Sequence, residues 1–331
     1  MILEIPSNQN SSILESFTAK CSRSTLPFRF ISTASTESLG RLLFQNIFES
    51  IEYNGVRLFA RYEHKSIVSL AIVHPQSWES NVLGVSVFSL QVISCTNALN
   101  IDNVELIKTA LESVRDKSTV ALVTARCWTS DISLIHGFQR NGFLLMDTAV
   151  DVVYSSNAHK PQNVIDSSLP PDLKMRLATL EDQEELKNLA GVAFSGHFGR
   201  FHADPRLGNS LGTKVYQQWI LSCLNGWADY VFLVEDLQTQ KPVGFSAWKK
   251  PSSAEQSLGL ALGHYSIGAV SPRYSGRGIF TKLTLAGMQA LDSCQAIEGP
   301  THIHNLAVQH GYQSLGWTIA DSRHTLHAWI G

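Results

Sequence analysis

Apolar residues return along this chain in two rhythms, and the rhythms alternate. Residues 36–51 place Leu39, Leu42, Leu43, Phe44, Ile47 and Phe48 on one helical face. Segments 56–61, 66–73 and 82–93 read as strands, with a turn-rich patch at 74–80 before the last of them. A helix at 104–114, a strand at 120–127, a helix at 132–140 and a strand at 144–154 follow. Strands interleaved with helices predict an α/β domain built on a mixed sheet. A second alternation then begins. A strand at 175–178 and a helix at 180–194 lead into a loop rich in His and Gly that runs through Pro205. A helix at 211–224, strands at 230–237, 242–249 and 258–270, and a helix at 279–291 come next. A strand at 301–304, a helix at 306–315 and closing strands to Ile330 complete the pattern.

The segments between these elements set the expected partition. Residues 1–25, rich in Ser, Asn and Thr from position 7, read as a leader with little fold of its own. Residues 156–172 are polar, contain Pro161, Pro170 and Pro171, and read as a linker. The expected domains are therefore 26–155 and 173–331. They repeat one another. The run from His136 through Gly137, Phe138 and Gln139 to Gly142 and Phe143 aligns without a gap on His310, Gly311, Tyr312, Gln313, Gly316 and Trp317. Asp147 and Asp321 then stand at the same offset. Both segments occupy the same place in their own α/β order, so the chain reads as two copies of one fold.

Composition narrows the function. Over 331 residues, 44% are hydrophobic and 16% charged, enough apolar material for packed cores. The net charge of −2 argues against a nucleic-acid binder working through a broad basic face, so any anion site must be local. Five scattered cysteines without a C-x-x-C pair suit a reducing compartment better than a disulfide framework or a structural zinc site. Twelve histidines include no H-E-x-x-H, so no metal is expected. No basic leader with an apolar core and no run of 18 apolar residues occurs, which predicts a cytoplasmic protein without a membrane partner. A homodimer is compatible with all of this.

One stretch carries candidate chemistry. Val270-Ser271-Pro272-Arg273-Tyr274-Ser275-Gly276-Arg277-Gly278-Ile279 joins an apolar strand to an amphipathic helix. Backbone N–H groups at a helix N-terminus lack partners inside the helix and carry partial positive charge, so they receive anionic oxygens. Gly276 and Gly278 let the backbone approach a ligand closely, and successive N–H groups in such a turn form an anion nest.

Arg273-x-x-Gly276-x-Gly278, followed by Asn305-x-x-Val308-x-x-x-Tyr312-x-x-x-Gly316-Trp317, resembles the paired motifs of the GCN5-related N-acetyltransferases (GNATs). Val308 and Trp317 stand where that family usually has Ala and Phe. The resemblance implies tandem acyl-CoA N-acyltransferase folds, with acetyl-CoA as acyl-donor co-substrate and a small-molecule amine as acceptor. It implies that Arg273, Ser275, Gly276, Arg277, Gly278 and Ile279 seat the pyrophosphate. Ala269 and Val270 would line the pantetheine arm, and Asn305 would hydrogen-bond it. Tyr312 would be the general acid that assists thiolate departure. A core aromatic at Tyr312 and a plain helix N-cap at Asn305 are the structural alternatives.

The amine must arrive uncharged, so a base is expected on the substrate side. His264 ranks first, ahead of Glu235, His197, His202 and Asp204. The first copy departs from the pattern. The connection at 94–100 has no glycine, Phe138 stands at the tyrosine position and Asp131 at the asparagine position. Cofactor binding is expected in the second copy only. Trp78-Glu79-Ser80-Asn81-Val82-Leu83-Gly84 resembles a segment of TDP-fucosamine acetyltransferase-like enzymes, and so does the region from His197 to Ile220. That points to a nucleotide-linked amino sugar, with Arg200, His202 and Arg206 receiving its diphosphate. The alternatives are another small amine or antibiotic-like acceptor, or a non-catalytic CoA-binding or interaction protein.

Overall fold

The two rhythms are realised as two units, each with six strands in the same mixed order. The structure, a computed structural model, describes residues 1–6, 10–51, 55–95, 103–115, 119–155 and 168–331. In chain order the strands are β1 (Ile2–Glu4), β2 (Arg57–Glu63), β3 (Ser66–Pro75), β4 (Ser86–Ser94), β5 (Ala121–Trp128) and β6 (Leu144–Ser155). They continue with β7 (Leu173–Leu177), β8 (Tyr230–Asp236), β9 (Pro242–Lys249), β10 (Leu262–Val270), β11 (Ala296–His302) and β12 (Thr318–Ile330). The helices of the first half are α1 (Asn10–Thr18), α2 (Thr36–Ile51), α3 (Ser77–Leu83), α4 (Val104–Val114) and α5 (Ile132–Arg140). Those of the second are α6 (Gln183–Ala193), α7 (Arg200–Ala203), α8 (Gly208–Ser222), α9 (Ser253–Ser257), α10 (Ile279–Ala290) and α11 (Leu306–Ser314).

The chain divides into a unit of Met1–Thr148 with Ser322–Gly331, and a unit of Ala149–Asp321. The first holds the order β1-β2-β3-β4-β5-β12 and the second β7-β8-β9-β10-β11-β6. In each, one pair is parallel, β4 with β5 and β10 with β11, and every other pair is antiparallel. A parallel pair needs a crossover, supplied by α4 in one unit and α10 in the other.

The expected boundary at residue 155 is therefore corrected. Val150 to Ser155 of β6 pair with β11 of the second unit, and Arg323 to Ile330 of β12 pair with β5 of the first. Each unit is completed by the strand that sequence order assigns to the other. Duplicated copies offer nearly equivalent edges to either strand, which is the setting in which exchange costs little.

Two further expectations change. The leader is part of the first unit. β1 pairs with β2, and Leu14 and Phe17 of α1 are buried. The strand expected from Val82 starts at Ser86, because 77–83 form α3, closed by Gly84 in the left-handed region. The expected linker falls on 156–167, outside the described residues, apart from its last five positions.

In the first unit α4 and α5 bury Leu106, Ile107, Ala110, Leu134 and Phe138 against Leu90, Val92, Val123 and Ala125. In the second unit the sheet is covered on both faces. α6 and α8 pack Leu186, Leu189, Tyr216 and Ile220 on Phe245, Ala247 and Ile267. On the other face Leu291, Tyr312, Leu315 and Trp317 pack with Trp248 and Ile297. Among the described residues, no helix is long and apolar enough to cross a membrane.

Candidate active site

The parallel pairing of β10 with β11 stops early. It joins Leu262 to Ala296, Gly263 to Ile297 and His264 to Glu298, and goes no further. β10 continues to Val270 and β11 to His302, so the two strands part and leave a wedge. On its other side β10 stays paired with β9, from His264↔Lys249 to Val270↔Gly244, with a bulge between Tyr265 and Ile267. Beyond His264, then, the β10 edge facing β11 has backbone groups with no ladder partner, Ala269 and Val270 at its end. In the first unit the equivalent parallel register reaches from Ser86↔Ala121 to Leu90↔Ala125.

The glycine turn lies at the wide end of this wedge. After a single 3-10 turn over Pro272–Tyr274, Gly276 and Gly278 take φ of 77° and 74°. A side chain at either would project into open space, with no atom within 4 Å. Gly278 caps α10 and offers no side-chain acceptor to the first helical N–H groups. The N–H groups of Gly276, Arg277 and Gly278 make no backbone hydrogen bond among the described residues. The turn is an open array of unused donors with Arg273 exposed beside it. Arg277 is engaged elsewhere: its Nη2 contacts Asp172 Oδ1 at 2.6 Å, and its guanidinium lies 5.5 Å from the Tyr274 ring centroid. Tyr274 Oη donates to Asp236 Oδ2 at 2.8 Å, so the turn is pinned to β8.

Tyr312 on α11 points into the wedge. Its ring is fully buried among Phe280, Tyr265 and Trp317, and its hydroxyl has no hydrogen-bond partner. A methyl group at Gly299 of β11 would sit 2.6 Å from Tyr312 Oη, so only glycine lets the phenol reach this strand. Burial, with a contribution from Tyr265, pushes the phenol well above its ordinary value. A buried hydroxyl without a partner is costly, about 1–3 kcal/mol, and calls for a ligand or a functional reason. Asn305 occupies the N-cap of α11, yet its side chain makes no capping bond. In the first unit Asp131 does cap α5, accepting from Leu134 N at 3.1 Å, and Phe138 fills the tyrosine position against Phe143. The connection that lacks a glycine turn there falls on 96–102, outside the described residues.

His264 is not available as a base. Its Nδ1 lies 2.8 Å from Glu298 Oε1 and its Nε2 3.0 Å from Glu255 Oε1. Burial alone would depress its pKa, but the bonds to Glu255 and Glu298 override it and raise the value to about 9. At neutral pH it is an imidazolium with both N–H groups in use. It ties β10, β11 and α9 together, and Glu255 is itself held by a capping box with Ser252. This corrects the leading candidate for the base. Below the ordinary value of 6.5 the imidazole is protonated folded or unfolded, and its contribution to stability is complete; it is lost as pH rises through about 9. Urea midpoints should therefore fall between pH 7 and 9.5, and the fall should be absent in His264→Leu. That variant should lose about 3–5 kcal/mol, since Glu255 is left buried without its partner.

The other candidates separate. Glu235 is bound by Arg176 Nε at 2.9 Å, and Arg176 also pairs with Asp182. Asp204 is buried and accepts from Arg206 N at 3.0 Å. His197 packs edge-on to Phe194 and Tyr216. His202 stacks on Tyr216, bonds Thr213 Oγ1 at 3.2 Å, and has its pKa lowered by burial, so it is neutral. A neutral imidazole can offer a phosphate oxygen an N–H but no charge, so of the expected trio Arg200 and Arg206 carry the positive charge. Arg200 lies over the Phe201 ring at 4.3 Å, and Arg206 is exposed. Trp219 Nε1 donates to Ser266 Oγ at 3.0 Å and so fixes the bulge of β10. Trp78 is 39% exposed and does not anchor a core.

Glu255 and Glu298 were not singled out from the sequence. Ser252-x-x-Glu255 is a capping-box signature that marks α9 in advance, but nothing local links either carboxylate to His264.

Comparison with known proteins places this geometry. No protein-family model matches the chain. It is 21% identical over 272 residues to the spore coat polysaccharide biosynthesis protein SpsD of Bacillus subtilis, covering 82% of this chain and 87% of that protein. Its structure is similar to that of a GCN5-related N-acetyltransferase from Sphaerobacter thermophilus, with a TM-score of 0.61 at 10% identity, over 100% of this chain and 95% of the other. It is equally similar to a tandem GNAT protein from the clavulanic acid biosynthesis pathway, with a TM-score of 0.61 at 11% identity, over 100% and 98%. With two six-strand units of one order, a parted parallel pair and a glycine turn, this chain has the fold of the tandem GCN5-related N-acetyltransferases.

Proposed function

We propose that the chain is an acetyl-CoA-dependent N-acetyltransferase whose second unit carries the active site. The observation that carries this reading is the unpartnered Tyr312 hydroxyl, buried where β10 leaves β11, at the end of a wedge whose mouth is the open glycine turn. The residues suit acetyl-CoA. The amides from Gly276 to Ile279 would hold the pyrophosphate, with Arg273 beside them. The free edge of β10 near Ala269 and Val270 would bond the pantetheine amides, and the unused Asn305 side chain would add a contact. Bound acetyl-CoA supplies an activated acyl carbon and a thiol leaving group.

From Tyr265 to Val270 the wedge runs about 17 Å at the usual strand rise, of the order of an extended pantetheine arm. Tyr312 stands near the narrow end, where the sulfur would arrive. A thiol, with an ordinary pKa of about 8.5, is a stronger acid than a phenol at about 10. Tyr312 therefore acts by hydrogen-bonding the developing thiolate, without full proton transfer. Holding donor and acceptor together in a ternary complex supplies much of the remaining rate.

The proposed acceptor is the primary amine of a nucleotide-linked amino sugar. The sequence relationship to a polysaccharide biosynthesis protein supports this choice, and Arg200 and Arg206 are the cations suited to its diphosphate.

Thiol release from acetyl-CoA, followed with a panel of amines that includes a nucleotide-linked 4-amino sugar, tests the reading. Release should depend on the amine, and calorimetry should count one acetyl-CoA per chain. Tight acetyl-CoA binding without release for any amine would identify a non-catalytic binder. A stoichiometry of two would contradict assignment of the site to the second unit alone.

A further inference from the structure

Tyr312 reaches Gly299 from the face of the sheet that α10 and α11 cover. The neighbouring residue of β11, Glu298, projects from the opposite face, because side chains alternate along a strand. Glu298 and His264 are also the last parallel pair before the strands part, so they stand at the apex of the wedge. Only Glu298 Oε1 is used, by His264 Nδ1 at 2.8 Å. Oε2 makes no hydrogen bond among the described residues, and the side chain is 23% exposed. His264 is held from behind by Glu255, whose side chain is 7% exposed. The three groups are a carboxylate, an imidazolium and a carboxylate, with a net charge of −1. Lys249, paired directly with His264 in the β9 ladder, shares this face and donates its ammonium to Trp227 O at 2.8 Å. Cys294 lies within electrostatic reach of Glu255, and Tyr265 and Tyr312 lie on the opposite face.

We propose that Glu298 binds the amino group of the acceptor at the wedge apex and takes the proton it sheds, and that His264 is the residue that positions it; this rests on the acyl-transfer reading above. The nitrogen lone pair forms the C–N bond to the thioester carbonyl carbon. The C–S bond breaks, with its electron pair going to sulfur under the Tyr312 hydrogen bond. Positive charge develops on the attacking nitrogen, and the net negative cluster stabilises it there. Bonding to the carbonyl carbon makes the N–H strongly acidic, so a carboxylate is base enough to take its proton. The proton passes to Glu298 Oε2 and then to water, the thiolate is protonated from solvent, and the products are the amide and free CoA. Acid and base thus act from opposite faces at consecutive residues of one strand, Glu298 itself and Gly299, over which Tyr312 lies.

Glu298→Gln keeps the length of the side chain and its acceptor for His264, and His264 retains Glu255. With an amine that the parent enzyme acetylates, kcat should fall at least 100-fold at pH 7 while KM for acetyl-CoA stays within twofold. The variant's rate should climb with pH where the parent's has levelled, because free hydroxide replaces the missing base. Glu298→Asp, which keeps the charge but shortens the reach, should recover part of the loss. Unfolding of each variant by urea separates these effects from a damaged fold, which would lower acetyl-CoA binding as well. An active parent whose Glu298→Gln keeps kcat within twofold, or loses rate with an unchanged pH profile, overturns the assignment alone. A parent that releases no thiol with any amine overturns the acyl-transfer reading, and this assignment with it.

Discussion

Replacing Gly276 by Glu should abolish acetyl-CoA binding while leaving the fold intact. The residue sits at φ 77° with open space where a side chain would go, so nothing in the protein is displaced. The backbone cost of a non-glycine residue there is about 1–2 kcal/mol. The carboxylate, however, would project beside the unused N–H groups of Gly276 to Ile279, occupy them as an internal anion and repel the pyrophosphate. Gly276→Ala separates the two effects, since it carries the same backbone cost without the charge. Calorimetry should detect weakened binding in the alanine variant and no heat in the glutamate variant, with closely similar urea midpoints for both. Equal affinity for parent and glutamate variant would remove the pyrophosphate from this turn.

Tyr312→Phe should separate activity from stability in opposite directions. Loss of the hydroxyl removes the hydrogen bond to the departing thiolate, and kcat should fall by about 10²–10⁴. The same change deletes a fully buried polar atom that has no partner in the free protein. Removing an unsatisfied buried group relieves a penalty of about 1–3 kcal/mol, so the variant should unfold at equal or higher urea concentration. Packing against Trp317, Phe280 and Tyr265 is kept, because phenylalanine retains the ring. The first unit already shows the outcome: Phe138, at the repeat-equivalent position, is buried in an ordinary apolar core. A parent and variant of equal kcat would return Tyr312 to the role of core aromatic.

Together these variants explain why turn and tyrosine occur in the same copy. A turn of unused N–H donors and a buried orphan hydroxyl both cost stability, and the first unit has instead Asp131, which caps its helix, and Phe138, which fills its core.

The geometry of the turn was legible because its signals are local. Gly276 and Gly278 are glycines at positive φ, the strand before them and the helix after them have opposite hydrophobic periods, and Asn305 and Tyr312 follow at fixed spacing. Duplication was legible for the same reason, as two short segments in the same place of two α/β orders. His264 was misread as a base because its partners are distant. Glu255 is 9 residues away and Glu298 34, and only the register of β10 with β11 brings the second to it. The stacking of His202 on Tyr216, and the burial that lowers its pKa, are likewise tertiary facts that nothing local announces.

By itself, then, the sequence determined the element types, the repeat, and which copy keeps the glycine turn and the tyrosine. These depend on periodicity, on backbone freedom at glycine and on residue identity. Tertiary structure alone decided three other things: which terminal strand completes which sheet, where β10 and β11 part, and which carboxylates hold His264. Strand exchange between like copies leaves no mark on the sequence, since both strands suit either edge. The parting of the strands is a matter of register and bulge, and the clamp on His264 exists only once that register is set.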